Sequence, residues 1–495
     1  MESFSKRITP YSITDMIPYI IRTFRGGVSD ESKRGIPGAF KFGQSLDIHS
    51  RDDVLKCGSS VVTANESLIS DLMQFLVPAA DGSTYAFGSA GSIYARTGDL
   101  NDGAWNFAYN DENGNIKGAG EFELNDGTRY MIWCTNTSVA RRNMTTGEKA
   151  VPWTNVTANY RTTLNSVDWH TTLVAAGQFN IANGNDLASI SYADAFTASD
   201  LDIIPGNLIK SLEERDDFII LGSERSDESE EGHIWSWIVT ASSWVQKKRV
   251  PAKGVNALIT AELGLAQAGA QGELFQSDFI NQIPLHGVPG GGQVYPGGAS
   301  ILDDRAVFGF FGGTYPGIWS YGRKRKDRPF ALNYEYRLAK TVAGSSISTI
   351  GAIAVVNGDL IASWGTTDGS TSDYGVDQVS STTKASALYE GLEFDGGSPH
   401  LAKTVDTIAF VMTQLPSGTS VSAKFKMDKE SDWRYAVLGS GATTFSQSGE
   451  VVALFNVGKP GRIYEVGAEL NASGADSPEI HAIISYLSKK TSQYA

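Results

Sequence analysis

Apolar residues in this chain fall in short runs of about four to eight, separated by clusters of Gly, Asn and Asp, the pattern of β-strands joined by tight turns. One unit recurs: Asp or Asn at a turn, an apolar strand, a small polar loop, then a second strand. It reads "DGSTYAFGSAGSIYARTG" at Asp81–Gly98 and "DGTRYMIWCTNTSVARRN" at Asp126–Asn143. It returns with a longer loop at Asp168–Tyr192, then at Asp216–Ile238, Leu263–Phe279 (without the leading Asp), Asp303–Arg323 and Asn357–Val379. The starts lie roughly 40 to 54 residues apart, the spacing of one four-stranded propeller blade per repeat. "NLIKSLEE", "VNALITAE" and "GGASILDD" supply a strand ahead of three copies, and "RPFALNYEYRL" (Arg328–Leu338) reads as a polar outer strand after the sixth. Amphipathic helical periodicity is scarce. The expected fold is all-β: a seven-bladed β-propeller, with six or eight blades also compatible, followed by a C-terminal β-sandwich.

Three segments are expected. Residues 1–35 read as an extended arm suited to reaching a neighbouring subunit, 36–390 as the propeller and 391–495 as the sandwich. Segment Ile36–Val61 holds strand-like pieces that would close the ring by joining the last blade. The sandwich rests on six longer strand candidates: Thr404–Leu415, Ser420–Asp428, Arg434–Ser440, Val451–Gly458, Gly461–Asn471 and Glu479–Leu487. Alternation in "SVSAKFKMD" and "RIYEVGAEL" marks half-buried antiparallel strands.

Composition narrows the class. With 53 Gly but only 16 Pro, the chain is turn-rich without being disordered. A formal charge of −14 disfavours dedicated nucleic-acid binding. It is compatible with a channel past which DNA slides without adhering. Two cysteines, Cys57 and Cys134, are too few for a disulfide framework and are expected as reduced thiols. No signal peptide is expected, and the apolar patch Met16–Phe24 is too short to span a bilayer.

Candidate chemistry is sparse. The six histidines, at 49, 170, 233, 286, 400 and 481, form no metal-ligand spacing, and neither a nucleophile elbow nor a phosphate-binding loop occurs. "TTDGSTSDYG" and "AADGSTYAFG" echo the Asp-box of sialidases without its Trp. Gly312-Gly313 with Tyr315 and Trp319 echoes a single kelch blade. No carboxylate pair for glycoside hydrolysis can be singled out among 55 acids. The acidic run Glu224–His233 reads as a solvated hairpin tip, with Ca²⁺ ligation as its functional alternative. The basic run Gly322–Pro329 reads as an exposed loop, with a subunit interface or phosphate contact as its alternative. Trp235, Trp237 and Trp244 are assigned to blade packing, and sequon-like triplets such as those at Asn136 and Asn471 carry meaning only in a secreted protein. No catalytic, cofactor-binding or metal residues are nominated, and no cofactor or enzymatic activity is expected.

The segments "GAFKFGQSLDIHSRDDVLKCGSS", "GELFQSDFINQIPLHGVPGGGQVYPGG" and "GKPGRIYEVGAELNASGADSPEI" give the chain a texture that resembles virion structural proteins of tailed bacteriophages, the propeller-containing tail and nozzle type. The resemblance implies a structural component of the tail, in a nozzle or a tail-tube or tip ring, made in the bacterial host cytoplasm and located in the virion. Its implied partners are other tail proteins, further copies of itself in a ring, and genomic DNA passing through the lumen without specific binding. Host-surface contact is compatible with it; stable membrane insertion is not implied. Two rivals are a host-surface glycan-binding adhesin and a propeller-fold polysaccharide-degrading enzyme.

Overall fold

A computed structural model describes residues 16–29, 31, 36–51, 53–63, 69–97, 105–112, 114–153, 169–227, 231–262, 264–277, 282–338, 347–368, 371–397 and 399–489. Among them every regular element is a strand. The chain divides into two compact units: residues 61–322 with 337–379, and residues 1–60 with 323–336 and 380–495.

The first unit is a succession of antiparallel meanders. Its first sheet runs Asn106–Asn110, Ser92–Thr97, Ser83–Gly88, Met73–Pro78 from outside to inside. The next four begin on Ile116–Glu123, Trp169–Ala175, Asn207–Arg215 and Val255–Thr260, and each is four-stranded in chain order. Ala299–Leu302, Arg305–Phe310 and Gly317–Gly322 form three further antiparallel strands. The last sheet runs Ile347–Val356, Asp359–Asp368, Thr371–Lys384 and then Ser59–Thr63. The first strand of each sheet neighbours the first strand of the next, and Ile347–Val356 neighbours Met73–Pro78 again. This circular order of radial sheets is that of a β-propeller.

The recurring Asp or Asn of the sequence sits at the turn between the first and second strands. Asp303 and Asp304 hold φ of 48° and 63°, and Asn357 holds 52°, the left-handed region that short polar side chains tolerate in two-residue hairpin turns. At Asp81 and Asp126 a carboxylate oxygen instead accepts the amide two residues on, from Ser83 and Thr128, each at 2.8 Å. Six copies therefore mark the second and third strands of a sheet. The third differs: Asp168–Tyr192 holds three strands, Trp169–Ala175, Gln178–Asn183 and Asp186–Ser191, where a longer loop is expected from sequence. A tight turn at Ala176-Gly177, both at positive φ, splits the apolar run.

Cohesion lies between neighbouring sheets. Phe87, Ile93, Met131 and Trp133 join the first to the second. Ile132, Val139, Phe179 and Ile190 join the second to the third, and Leu187, Leu201, Leu221 and Trp235 the third to the fourth. Met73, Tyr94, Ile361 and Val376 join the last sheet to the first. Two buried indoles are tied down by carboxylates: Trp133 Nε1 donates to Asp111 Oδ2 and Trp364 Nε1 to Asp377 Oδ1, both at 2.7 Å.

The second unit has two large sheets and a two-stranded parallel pair, Gly27–Val28 with Ala39–Phe40. One runs Met16–Ile21, Glu479–Lys489, Lys403–Met412, Val452–Gly461, with Leu55–Lys56 added beside Glu479–Lys489. In the other, Ala331–Tyr336, Phe42–Gln44, Ala387–Glu390, Tyr464–Asn471, Ser420–Met427 and Arg434–Tyr435 follow one another. The buried Tyr464 hydroxyl, from the second sheet, lies against the carbonyl of Lys403 in the first.

Three expectations change here. The segment expected as a free arm is a strand from Met16 to Ile21, in register with Ile483–Ser488 of the same chain; residues 1–15 lie outside the described residues. Of the expected closing segment, only its end reaches the propeller, as Ser59–Thr63, because Phe42–Gln44 pairs instead with Ala387–Glu390. The expected polar outer strand Arg328–Leu338 is buried from Ala331 to Glu335, Tyr334 pairing with Gln44. The units are thus discontinuous in sequence, which a linear partition at residues 35 and 390 does not capture.

Replacing Asp377 with Ala removes the acceptor of a buried indole N–H and is expected to destabilise the protein by about 2 kcal/mol. Urea unfolding followed by Trp fluorescence measures it; a loss below about 0.5 kcal/mol would show the bond to be dispensable.

Candidate functional site

The first strands of five sheets share a local irregularity. Each steps out of register by one residue: between Met73 and Phe75, Ile116 and Gly118, His170 and Thr172, Ile209 and Ser211, and Val255 and Ala257. The skipped residues are Gln74, Lys117, Thr171, Lys210 and Asn256, all polar. A β-bulge leaves one residue unpaired and re-aims its side chain. All five line one cavity of about 320 Å³. His170, Phe75, Leu208 and the segment Gln293–Pro296 complete its wall.

Neighbouring sheets stabilise the bulges. Thr172 Oγ1 donates to the Ala119 carbonyl at 3.1 Å, Ser211 Oγ to Val255 O at 2.9 Å, and Ser363 Oγ to Met73 O. In four of the five strands the residue after the bulge is small (Gly118, Thr172, Ser211, Ala257), because the strands approach closely. A Cβ on Gly118 would stand 2.6 Å from Thr172 Cγ2 and 2.9 Å from its amide nitrogen. The sequence carries a weak signal for this device, an apolar-polar-small step in three of the five strands ("IKG", "IKS", "VNA"). Ordinary strand alternation hides it.

The cavity wall contains two lysines and a histidine, and no carboxylate among its described residues. Lys210 Nζ stands 3.4 Å from Glu224 Oε2, outside the wall. Lys117 has no carboxylate at ion-pair distance among the described residues. Burial raises the Tyr295 phenol above its ordinary pKa, so it stays protonated and able to donate.

Residues singled out from sequence fall elsewhere. Trp319 is fully buried and its Nε1 donates to the Tyr315 carbonyl at 3.2 Å; Tyr315 itself is 37% exposed. The Gly312-Gly313 turn docks on the preceding loop, where Thr314 N donates to Gly290 O at 3.1 Å, and a Cβ on Gly313 would meet Gly291 O at 2.2 Å. Trp235 and Trp237 are buried, and Trp235 packs edge-on against Trp244 with centroids 5.2 Å apart. In the acidic run, Arg225 Nε donates to both oxygens of Asp227 and Glu231 pairs with Arg249 at 2.6 Å; residues 228–230 lie outside the described residues. The basic run folds onto itself: Arg323 Nη1 donates to the Lys326 carbonyl at 2.8 Å and Arg325 pairs with Asp327 at 3.1 Å. Of the histidines, His170 reaches the cavity. His233 is buried, and burial first, then the Lys247 charge, lowers its pKa. No group of three or more potential metal ligands occurs among the described residues.

No family model matches the chain, and no curated protein matches it. Among solved structures, it is similar to the extracellular domain of the hybrid two-component system BT4673 from B. thetaiotaomicron. Identity is 12% and the TM-score 0.46, over 79% of this chain and 46% of that one, so this chain spans under half the length of that structure. The WD40 propeller domain of Doa1 matches at 10% identity and a TM-score of 0.42, over 65% of this chain and 97% of that domain.

Two outcomes follow from this geometry. Gly118→Ala is expected to cost about 1–3 kcal/mol by forcing two inner strands apart. Lys117→Ala, one residue away, should stay within about 0.5 kcal/mol of the parent; thermal unfolding of both variants checks the contrast. Burial pushes the Cys57 thiol up to about 11 and the Cys134 thiol up as well. Neither should be alkylated by iodoacetamide at pH 8 until the protein is denatured, a difference that mass spectrometry reads directly.

Proposed function

We propose that this chain is a structural component of a bacteriophage tail, a nozzle or tail-tube or tip ring subunit built on a seven-bladed propeller and a C-terminal β-sandwich. Its work is subunit contact and formation of a DNA conduit, not catalysis. The observation that carries the reading is the five-stranded sheet whose main path runs from Met16–Ile21 to Val452–Gly461. Its two edges are different surfaces, and both present apolar side chains. Ile17 and Ile20 are 40% and 39% exposed on one edge strand, and Leu454 is 36% exposed on the other.

The only backbone bonds on the outer side of Val452–Gly461, among the described residues, are those of Asn456 with Val437. Open edges invite pairing with another chain. A contact between two unlike edges is heterologous, and heterologous contacts close into rings when the rotation allows. A ring lumen bounded by a chain of charge −14 repels DNA and lets it slide.

Native mass spectrometry and negative-stain imaging of the purified chain test the reading. Closed rings are expected, and Leu454→Lys or Ile20→Lys should shift them to monomers by placing a charge on the paired edge. A chain that stays monomeric and never joins tail particles overturns the proposal. A glycan-array hit or depolymerase activity lost on one carboxylate substitution overturns it in favour of an adhesin or an enzyme.

A further inference from the structure

We infer that the axial cavity of the propeller is a binding site for a small polar solute carrying an oxyanion, a carboxylate or a phosphate. The inference is independent of the tail reading and holds for a monomer as for a ring.

Three observations converge on it. The first is construction: five separate strands present a polar side chain to one space by the same one-residue bulge. Each bulge leaves a residue out of the ladder and re-aims its side chain, and all five side chains so re-aimed are polar. The inner strand of the last sheet shifts register twice, between Ile347 and Thr349 and between Ile350 and Ile353, and the second shift falls on Gly351 and Ala352.

The second is charge. Acids outnumber bases 55 to 41 over the chain, yet the described cavity wall holds Lys117, Lys210 and His170 and no Asp or Glu. Glu224 offsets Lys210 from behind, which leaves the Lys117 ammonium as the uncompensated charge facing a recess. An anion entering there meets a field that solvent screens less than at an open surface.

The third is the remaining wall. The amides of Gln74, Asn256 and Gln293 and the hydroxyls of Thr171 and Tyr295 supply neutral hydrogen-bonding groups, and Phe75 a flat apolar side. A few placed polar groups on a partly apolar wall are the anatomy of a small-molecule site, and about 320 Å³ is at the lower end of that class. A hydroxylated acid or a sugar phosphate matches the cavity in size, charge and hydrogen bonding.

Isothermal titration calorimetry on the whole chain at low salt, with citrate, inorganic phosphate, glucose 6-phosphate and neutral glucose, tests the inference. At least one anion is expected to bind with one molecule per chain, more tightly than glucose and more weakly as salt rises. The citrate and phosphate arms distinguish a carboxylate from a phosphate ligand. Lys117→Gln should weaken that binding about tenfold. Lys210→Gln should weaken it at least as much, because Glu224 is then left beside the cavity without its partner. Lys248→Gln, on the outer strand Gln246–Val250, should leave it unchanged. If a cavity variant fails to fold, the ranking of anions over glucose on the parent protein and its salt dependence still decide. Absence of binding by all three anions at millimolar concentration overturns the inference, as does binding that Lys117→Gln leaves intact.

Discussion

A four-stranded β-sheet with two apolar faces has no stable existence in water until both faces are covered, and in this protein the cover for each sheet is the next sheet. Trp133 rests against Phe87 of the sheet before it, and Phe179 against Phe122 of the sheet before its own. Burial of a large side chain contributes roughly 1.5–3 kcal/mol. The stabilising free energy is therefore distributed over interfaces, and any one sheet depends on both neighbours. Circular closure is the arrangement in which no face is left over. The tight inner-strand approaches at Gly118 and the small residues beside the bulges follow from the same demand.

That crowding at the axis also explains why polar groups gather there. Radial sheets converge inward until flat pairing of each inner strand with its own neighbour competes with contacts to the adjacent sheet. Bulging relieves the conflict and frees carbonyls that Thr172, Ser211 and Ser363 then satisfy from the neighbouring sheet. The side chain on the displaced residue faces the axis, where water or a solute can solvate it. A lysine there costs little in the folded state, whereas within the apolar interfaces it would be prohibitive.

Much of the propeller was legible from the chain itself. Asp303-Asp304 and Asn357 mark turns because only short polar residues and glycine accept their backbone angles, and period-two alternation marks the strands between. The buried roles of Trp235, Trp237 and Trp319 follow from their places in apolar runs. What was not legible depended on pairing at long range. Nothing local to Phe42–Gln44 says that it pairs with Ala387–Glu390, or that Met16–Ile21 finds Glu479–Lys489. The axial residues escaped for a related reason. Gln74, Lys117, Thr171, Lys210 and Asn256 are far apart in sequence, each unremarkable alone, and converge only because the sheets do. His170 shows the limit from the other side: a lone histidine without metal spacing has no signature until its neighbours in space are known.

The strand Ser59–Thr63 occupies the outer place in a sheet otherwise made of residues 347–384. It is synthesised before any of the sheets and must wait, unpaired, until all of them exist. Joining it closes a loop of roughly 300 residues, an entropic cost that grows only slowly with length but is met in a single late step. The ring therefore has a seam, with a folding order and an opening order written into it. Every other sheet of the propeller can assemble on a neighbour as the chain emerges, while this one joins residues 59–63 to residues 371–384. The circle is thus fastened twice, on the inside where Ile347–Val356 meets Met73–Pro78 and on the outside by this five-residue strand.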